Sequence, residues 1–413
     1  MPRPRVAVVG GGIAGLASAW LLQHDHEVTL YEQDTQLGGH ALTVPVPCDG
    51  ITVPVETGFK YFMDGSHELL LGLMRLLGLR PEKREGSLTI ADRVHDRMMV
   101  LPPRSPRHLW RLATGGQLGL ALGLRRFLAS ADRVVAGRDW SRTLGDHAAD
   151  LGLGERFVRE LLLPLCASSW GASLELMAAF PAYDVLKNLW KGAAGFYELP
   201  GGVSSYIAAL VARLESVTLR SGLRVERLRP GAGGGVTIDH GDAHETFDRV
   251  VVATPAWTAA RLLAGFPEAA PLVAALREFR SFETRVFVHE DASFMPASRG
   301  DWSVINHVFE RDHRVMTEWS GHHLRRPVFR SWVPAGAPEP ARVHARRDFQ
   351  HLVVGRQQAV LQRRLEEGQG LARVWLAGMY TTDVDDHESA LLSAVGIARR
   401  LAPDSPGLRQ LGV

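Results

Sequence analysis

Arg5-Val6-Ala7-Val8-Val9-Gly10-Gly11-Gly12-Ile13-Ala14-Gly15 is the stretch on which the reading of this 413-residue chain turns. A short β-branched run leads into a glycine turn, and Leu16, Ala19, Trp20 and Leu22 then recur on one helical face. Residues 27–32 (Glu-Val-Thr-Leu-Tyr-Glu) read as a second strand. Together they make one strand–turn–helix–strand unit. The glycines fit G-x-G-x-x-G. Gly10 permits the tight turn, and Gly12 lets backbone approach a pyrophosphate at the positive helix end. Gly15 lets helix and strand pack closely, with Ile13 and Ala14 filling the first helical turn. Glu32, with Gln33 beside it, follows at the spacing of an acid that accepts from the adenosine ribose hydroxyls. A glycine-rich turn without a ligand explains the glycines alone but not this context.

Composition narrows the rest. Apolar residues make up 46% and charged residues 22%, so the chain can bury a sizeable core. Lys+Arg 47 against Asp+Glu 45 leaves a net charge of +2, which argues against a dedicated nucleic-acid binder. Two cysteines, Cys48 and Cys166, build neither a disulfide framework nor a zinc set, and a cytoplasmic location is expected. Arg3 and Arg5 before an uncharged run resemble a secretory signal, but the glycines inside that run fit the nucleotide turn better. No stretch is long and apolar enough to predict a membrane span. The adjacent His322-His323 and the His24/His26 pair lack partners for a metal site, and none is expected. No Gly-x-Ser-x-Gly supports a hydrolase.

Further along, residues 69–180 read as mostly helical and 206–214 as a helix. Strands are expected at 217–219, 224–228, 236–239, 249–253 and 373–377. An antiparallel sheet is expected over 282–333, and a final helix over 390–401. Residues 110–128 mix Leu and Arg, as a helix lining an apolar tunnel or touching a membrane surface would. A core helix with one arginine face explains the same pattern.

Several landmarks fall in a recognisable order: Gly38-Gly39-His40 after Glu32, then Glu56-Thr57-Gly58-Phe59, Pro200-Gly201-Gly202, Val225, Val250–Pro255, Trp375-Leu376-Ala377-Gly378 and His387-Glu388. With them the sequence resembles the flavin-containing amine oxidase and phytoene-desaturase-like superfamily. Within it, the chain is similar to a branch of FAD-binding oxidoreductases linked to modified fatty acids. The resemblance implies an α/β fold with a Rossmann-like, glutathione-reductase-type FAD-binding domain built from discontinuous segments. Those segments are 1–75, 200–265 and 366–413, with an interleaved α+β substrate domain at 76–199 and 266–365. It also implies noncovalent FAD, held by Gly10, Gly12, Ile13, Ala14, Gly15, Glu32, Gln33, Gly38, Gly39, His40, Thr57, Gly58, Phe59, Val225, Gly378, Met379 and Glu388. One departure is that Ala390 and Ala394 stand where the family's last helix carries small glycines.

Three residues are candidates for catalysis. Lys60 could hold an anionic flavin or a substrate carboxylate, or be a surface or ion-paired lysine. His387 and Glu388 could supply an acid/base group, or simply start a helix whose positive end Glu388 favours. Only four of the Lys+Arg residues are lysines, at 60, 83, 187 and 191. The amine oxidases of the superfamily carry a lysine in the substrate-domain strand, here 281–286, and this chain has none there. Gly115-Gly116 is the only later glycine pair in a plausible place for a nicotinamide site, and it reads as a loop. The expected function is an FAD-dependent oxidoreductase removing a hydride from a hydrophobic, lipid-like or secondary-metabolite substrate. Amine oxidation is the alternative, and an FAD-binding structural or sensory protein the non-enzymatic one. A small hydrophobic molecule is the expected partner, with peripheral membrane contact open and no oligomeric state legible.

Overall fold

The structure is a computed structural model describing residues 2–63, 65–114, 116–189 and 196–413. Gly115 and Lys191, both used in the sequence reading, lie outside them. Strand β1 (Arg5–Val9) runs parallel to β2 (Glu27–Glu32) on one side and to Arg249–Val252 on the other. Val217–Ser221 and Val374–Leu376 extend this five-stranded parallel sheet at its two edges. Its central strands are buried on both faces, which is why they read as continuous Val/Ala runs rather than alternating ones. Helix α1 (Ile13–Leu22) is buried along its whole length and packs against the His387–Leu401 helix in a core that includes Ala390 and Ala394.

A seven-stranded mixed sheet forms the second layer, in the order Val343–Leu352, Ser281–His289, Phe329–Val333, Arg314–Glu318, Ile305–Phe309, Leu88–Asp92, Arg97–Leu101. The antiparallel sheet expected over 282–333 is there, but it recruits segments the sequence reading assigned otherwise. Residues 82–101 hold three short strands and no helix: Glu82–Arg84, Leu88–Asp92 and Arg97–Leu101, of which Leu88–Asp92 pairs parallel with Ile305–Phe309 and antiparallel with Arg97–Leu101. Leu, Met, Lys and Arg in this stretch favour helix locally, and tertiary pairing overrides them. Helix resumes with α3 (Pro106–Ala113) and α4 (Gln117–Leu128), after α2 (Glu68–Leu76). The strand expected at 224–228 begins at Arg227, and a short Pro406–Leu411 helix follows the one expected to be last. That helix itself starts at His387, where Asp386 accepts from Ser389 N–H at 2.7 Å, and not at residue 390. His322 and His323 lie on a short helical turn instead of a strand. No helix among the described residues is long and apolar enough to cross a membrane.

Candidate cofactor and substrate site

The nucleotide end is built almost wholly from backbone. Gly10 holds φ +112°. A Cβ there would run into the Ala253 carbonyl, and one at Gly15 into the Gly10 carbonyl. At Gly12 a Cβ would meet open space. Gly12 is the N-cap of α1, with no side-chain cap and no acid in the first turn, so Ile13, Ala14 and Gly15 begin a helix whose positive end is bare. Gly38 N–H donates to the Gly11 carbonyl at 2.9 Å, and Gly38 and Gly39 both take positive φ so that Gly39 can lie against Gly12. Glu32 accepts from Gly11 N–H at 2.6 Å and from Asp34 N–H at 2.9 Å, while Gln33 is exposed. Val225 is buried between Leu223, whose N–H donates to the Glu32 carbonyl, and Glu226, bonded to the Asp239 carbonyl. Thr254 beside Gly10 has a buried hydroxyl with no partner among the described residues. The sequence reading named Thr254 only as part of a returning strand.

The other end joins both layers. Phe59 N–H donates to the His40 carbonyl at 2.9 Å, and a Cβ at Gly58 would strike that same carbonyl. Thr57 is tied to the Leu42 carbonyl. The Phe59 ring stacks on His387 at 4.0 Å, and His40 lies edge-on to Phe349 at 4.7 Å. His351 adjoins His40 and Phe282. Gly378 takes φ +139° and donates to Ser393 Oγ at 2.8 Å, with Met379 next in chain. Burial keeps these imidazoles neutral: it pushes His40 down to about 4, His351 to about 3, and His387 well below the usual range. Phe349 and His351 come from the Val343–Leu352 strand, whose polar sequence gave no sign of a site.

The catalytic candidates fare differently. Glu388 accepts from Leu69 N–H at 2.8 Å and Leu70 N–H at 2.9 Å, so both its oxygens close the N-terminus of α2. Glu388 thus sits in the first turn of its own helix while its carboxylate oxygens bond the first amides of α2, and burial raises its carboxyl to about 7. Lys60 is buried and bonded to Glu318, with Glu198 at 3.0 Å and Glu56 at 3.8 Å. Burial pulls its ammonium down, yet the three carboxylates outweigh that and hold it protonated. Lys60 is therefore ion-paired and not a free cation. Arg330 completes the cluster, donating to Glu318 at 2.6 Å and to the Gly58 carbonyl at 2.8 Å. Burial would raise the Glu318 carboxyl, but Arg330 and Lys60 bring it down to about 2. Glu198, Glu318 and Arg330 were invisible in sequence because all lie far from Lys60 in the chain, Glu318 and Arg330 as cross-strand partners on two neighbouring strands. His387 keeps a buried Nε2 with no partner among the described residues.

The sequence model of the flavin containing amine oxidoreductase family matches residues 13–291. The chain belongs to this family. Its cofactor is FAD, and the residues fit that group: an uncapped helix N-terminus, open space at Gly12 and an orphaned hydroxyl at Thr254. A carotenoid phi-ring synthase of Streptomyces griseus is 28% identical over 295 residues, covering 64% of this chain and 55% of that protein. The chain thus matches about half the length of this curated relative. Among solved structures, the CLA-producing fatty acid isomerase from P. acnes superposes with TM-score 0.69 at 14% identity, covering 97% and 99% of the two chains. Cyclohexylamine oxidase from Brevibacterium oxydans IH-35A gives TM-score 0.68 at 16% identity, covering 97% and 100%. Both likenesses concern the fold. The α/β architecture of this chain is that of the FAD-dependent amine oxidase folds.

Proposed function

We propose that this chain is an FAD-dependent oxidoreductase that oxidises or desaturates a hydrophobic, lipid-like or secondary-metabolite substrate. The observation that carries the reading is the wall of Phe59, Phe282 and Phe349 with neutral His40, His351 and His387. Bound FAD would supply the acceptor for two electrons. The glycine turn and α1 would hold the pyrophosphate, Glu32 the ribose, Val225 the adenine edge, and the 57–59 and 378–379 segments the ring. In this division the five-stranded sheet belongs to an FAD-binding domain (1–75, 200–265, 366–413) and the seven-stranded sheet to a substrate domain. The aromatic wall would exclude water and orient an apolar substrate, and His387 Nε2 would offer a hydrogen bond to whatever lies against it.

The second reading, amine oxidation, is favoured by the family's name. Against it stands the 281–286 strand: Thr284 donates to the Trp170 carbonyl at 2.8 Å, Arg285 pairs with Glu339 at 2.7 Å, and Glu283 faces solvent. None is free to take the place of the missing lysine. A peroxide-coupled screen of acyl and polyene compounds against primary amines and polyamines tests the choice. Turnover confined to the apolar class supports the reading, and turnover confined to amines overturns it.

A further inference from the structure

We propose that α3 and α4 form a docking face for an anionic lipid bilayer surface. The two helices are joined by residues 114–116 and anchored inward through His108, Leu112, Leu120, Leu124 and Phe127. Their other side is left apolar: Leu109 is 60% exposed, Trp110 67%, Leu118 50% and Leu122 53%. Scattered single exposures need no explanation, but four large apolar side chains on two adjoining short helices do. The sequence pattern was compatible with a core helix carrying one arginine face. The fold instead turns leucine, tryptophan and arginine outward together.

Charge identifies the occupant. Residues 102–131 contain five arginines, at 104, 107, 111, 125 and 126, and no Asp or Glu. Arg107 and Arg111 reach Asp301 at 4.0 and 3.1 Å, whereas Arg125 and Arg126 are exposed at the end of α4. Just before α3, Arg104 lines a cavity of about 550 Å³ together with Arg299, Arg325, Trp302 and Trp319. The Arg299 guanidinium lies over both indole rings, at 5.5 and 5.9 Å. Arg104, two residues before α3, thus links the start of α3 to a basic, tryptophan-lined pocket suited to a phosphate-bearing headgroup. Trp and Leu that can enter the acyl boundary, ringed by Arg that can meet phosphates, are the chemistry of an interfacial helix. A second copy fits less well, since a two-fold contact would set this acid-free face against itself.

Co-sedimentation of the FAD-loaded protein with vesicles tests this, using pure phosphatidylcholine and a phosphatidylcholine–phosphatidylglycerol mixture. Binding to the mixture should exceed binding to pure phosphatidylcholine by about tenfold or more and weaken between about 50 mM and 500 mM salt. Trp110→Glu with Leu122→Glu should abolish it, with flavin absorbance and melting temperature retained. Arg125→Gln with Arg126→Gln, which touches no core position, should reduce binding to the anionic mixture alone. No binding by the parent protein to either vesicle overturns the proposal. So does a parent dimer that the Trp110→Glu/Leu122→Glu variant turns into a monomer. The assay involves no turnover, so it stands or falls separately from the substrate reading.

Discussion

The two ends of the candidate site are made of different material. At the nucleotide end, recognition is written in backbone: Gly10, Gly12, Gly15, Gly38 and Gly39 shape a bare helix terminus, and Glu32 braces it from the next strand. At the substrate end it is written in side chains delivered by segments far apart in sequence, such as Phe59, His387 and Phe349. A backbone-built site has one solution and a local signature. A side-chain-built site can be rewritten one residue at a time while the fold stays, so function varies there.

The largest effect should come from breaking the backbone end without breaking the fold. Gly12→Glu places a carboxylate in open space at the α1 N-terminus, where it would compete with a pyrophosphate. FAD retention is expected to fall about a hundredfold or more, with apoprotein melting little changed. Equilibrium dialysis with FAD and calorimetry on the apoprotein read the two separately. Unchanged FAD affinity would mean that the phosphates lie elsewhere.

A smaller effect belongs to the substrate side, at the start of the His387–Leu401 helix. Burial, then Asp386, raises the Asp385 carboxyl to about 7, with Asp184, Asp383, Lys187 and His67 also in the cluster. The folded chain therefore keeps a proton that the unfolded chain gives up near pH 3.8. Between those values stability falls as pH rises, and the penalty is complete above about pH 7. Asp385→Asn should stabilise the protein by roughly 1–3 kcal/mol at pH 8, by less at pH 5 and not at all below about pH 4. Denaturant melts across pH would show it, and a gain independent of pH would contradict the assignment.

The smallest expected effect is at Glu388. Glu388→Gln keeps one acceptor for the α2 amides, and turnover should stay within about threefold, with stability changed by about 1 kcal/mol or less. A collapse of kcat at unchanged stability would instead assign Glu388 the acid/base role.

What could be read from sequence follows the same divide. The strands at 5–9 and 27–32 and the glycine turn were legible because buried parallel strands and G-x-G-x-x-G carry their meaning within thirty residues. Residues 82–101 misled because Leu88–Asp92 takes its partner, Ile305–Phe309, from two hundred residues away, and Glu82–Arg84 takes Phe196–Glu198 from over a hundred. The Val343–Leu352 strand is polar on its solvent face, which hid Phe349 and His351. Lys60 was singled out from its neighbours in sequence, yet its fate is set by Glu198 and Glu318, which only the fold brings to it.

Anaerobic mixing of the FAD-loaded protein with a substrate panel, followed at the oxidised-flavin absorbance, tests the contrast most directly. Apolar acyl or polyene compounds should bleach the flavin, while small amines, NADH and NADPH should leave it oxidised. Rapid bleaching by a small amine, with no response to any hydrophobic compound, would contradict the reading of an apolar substrate wall.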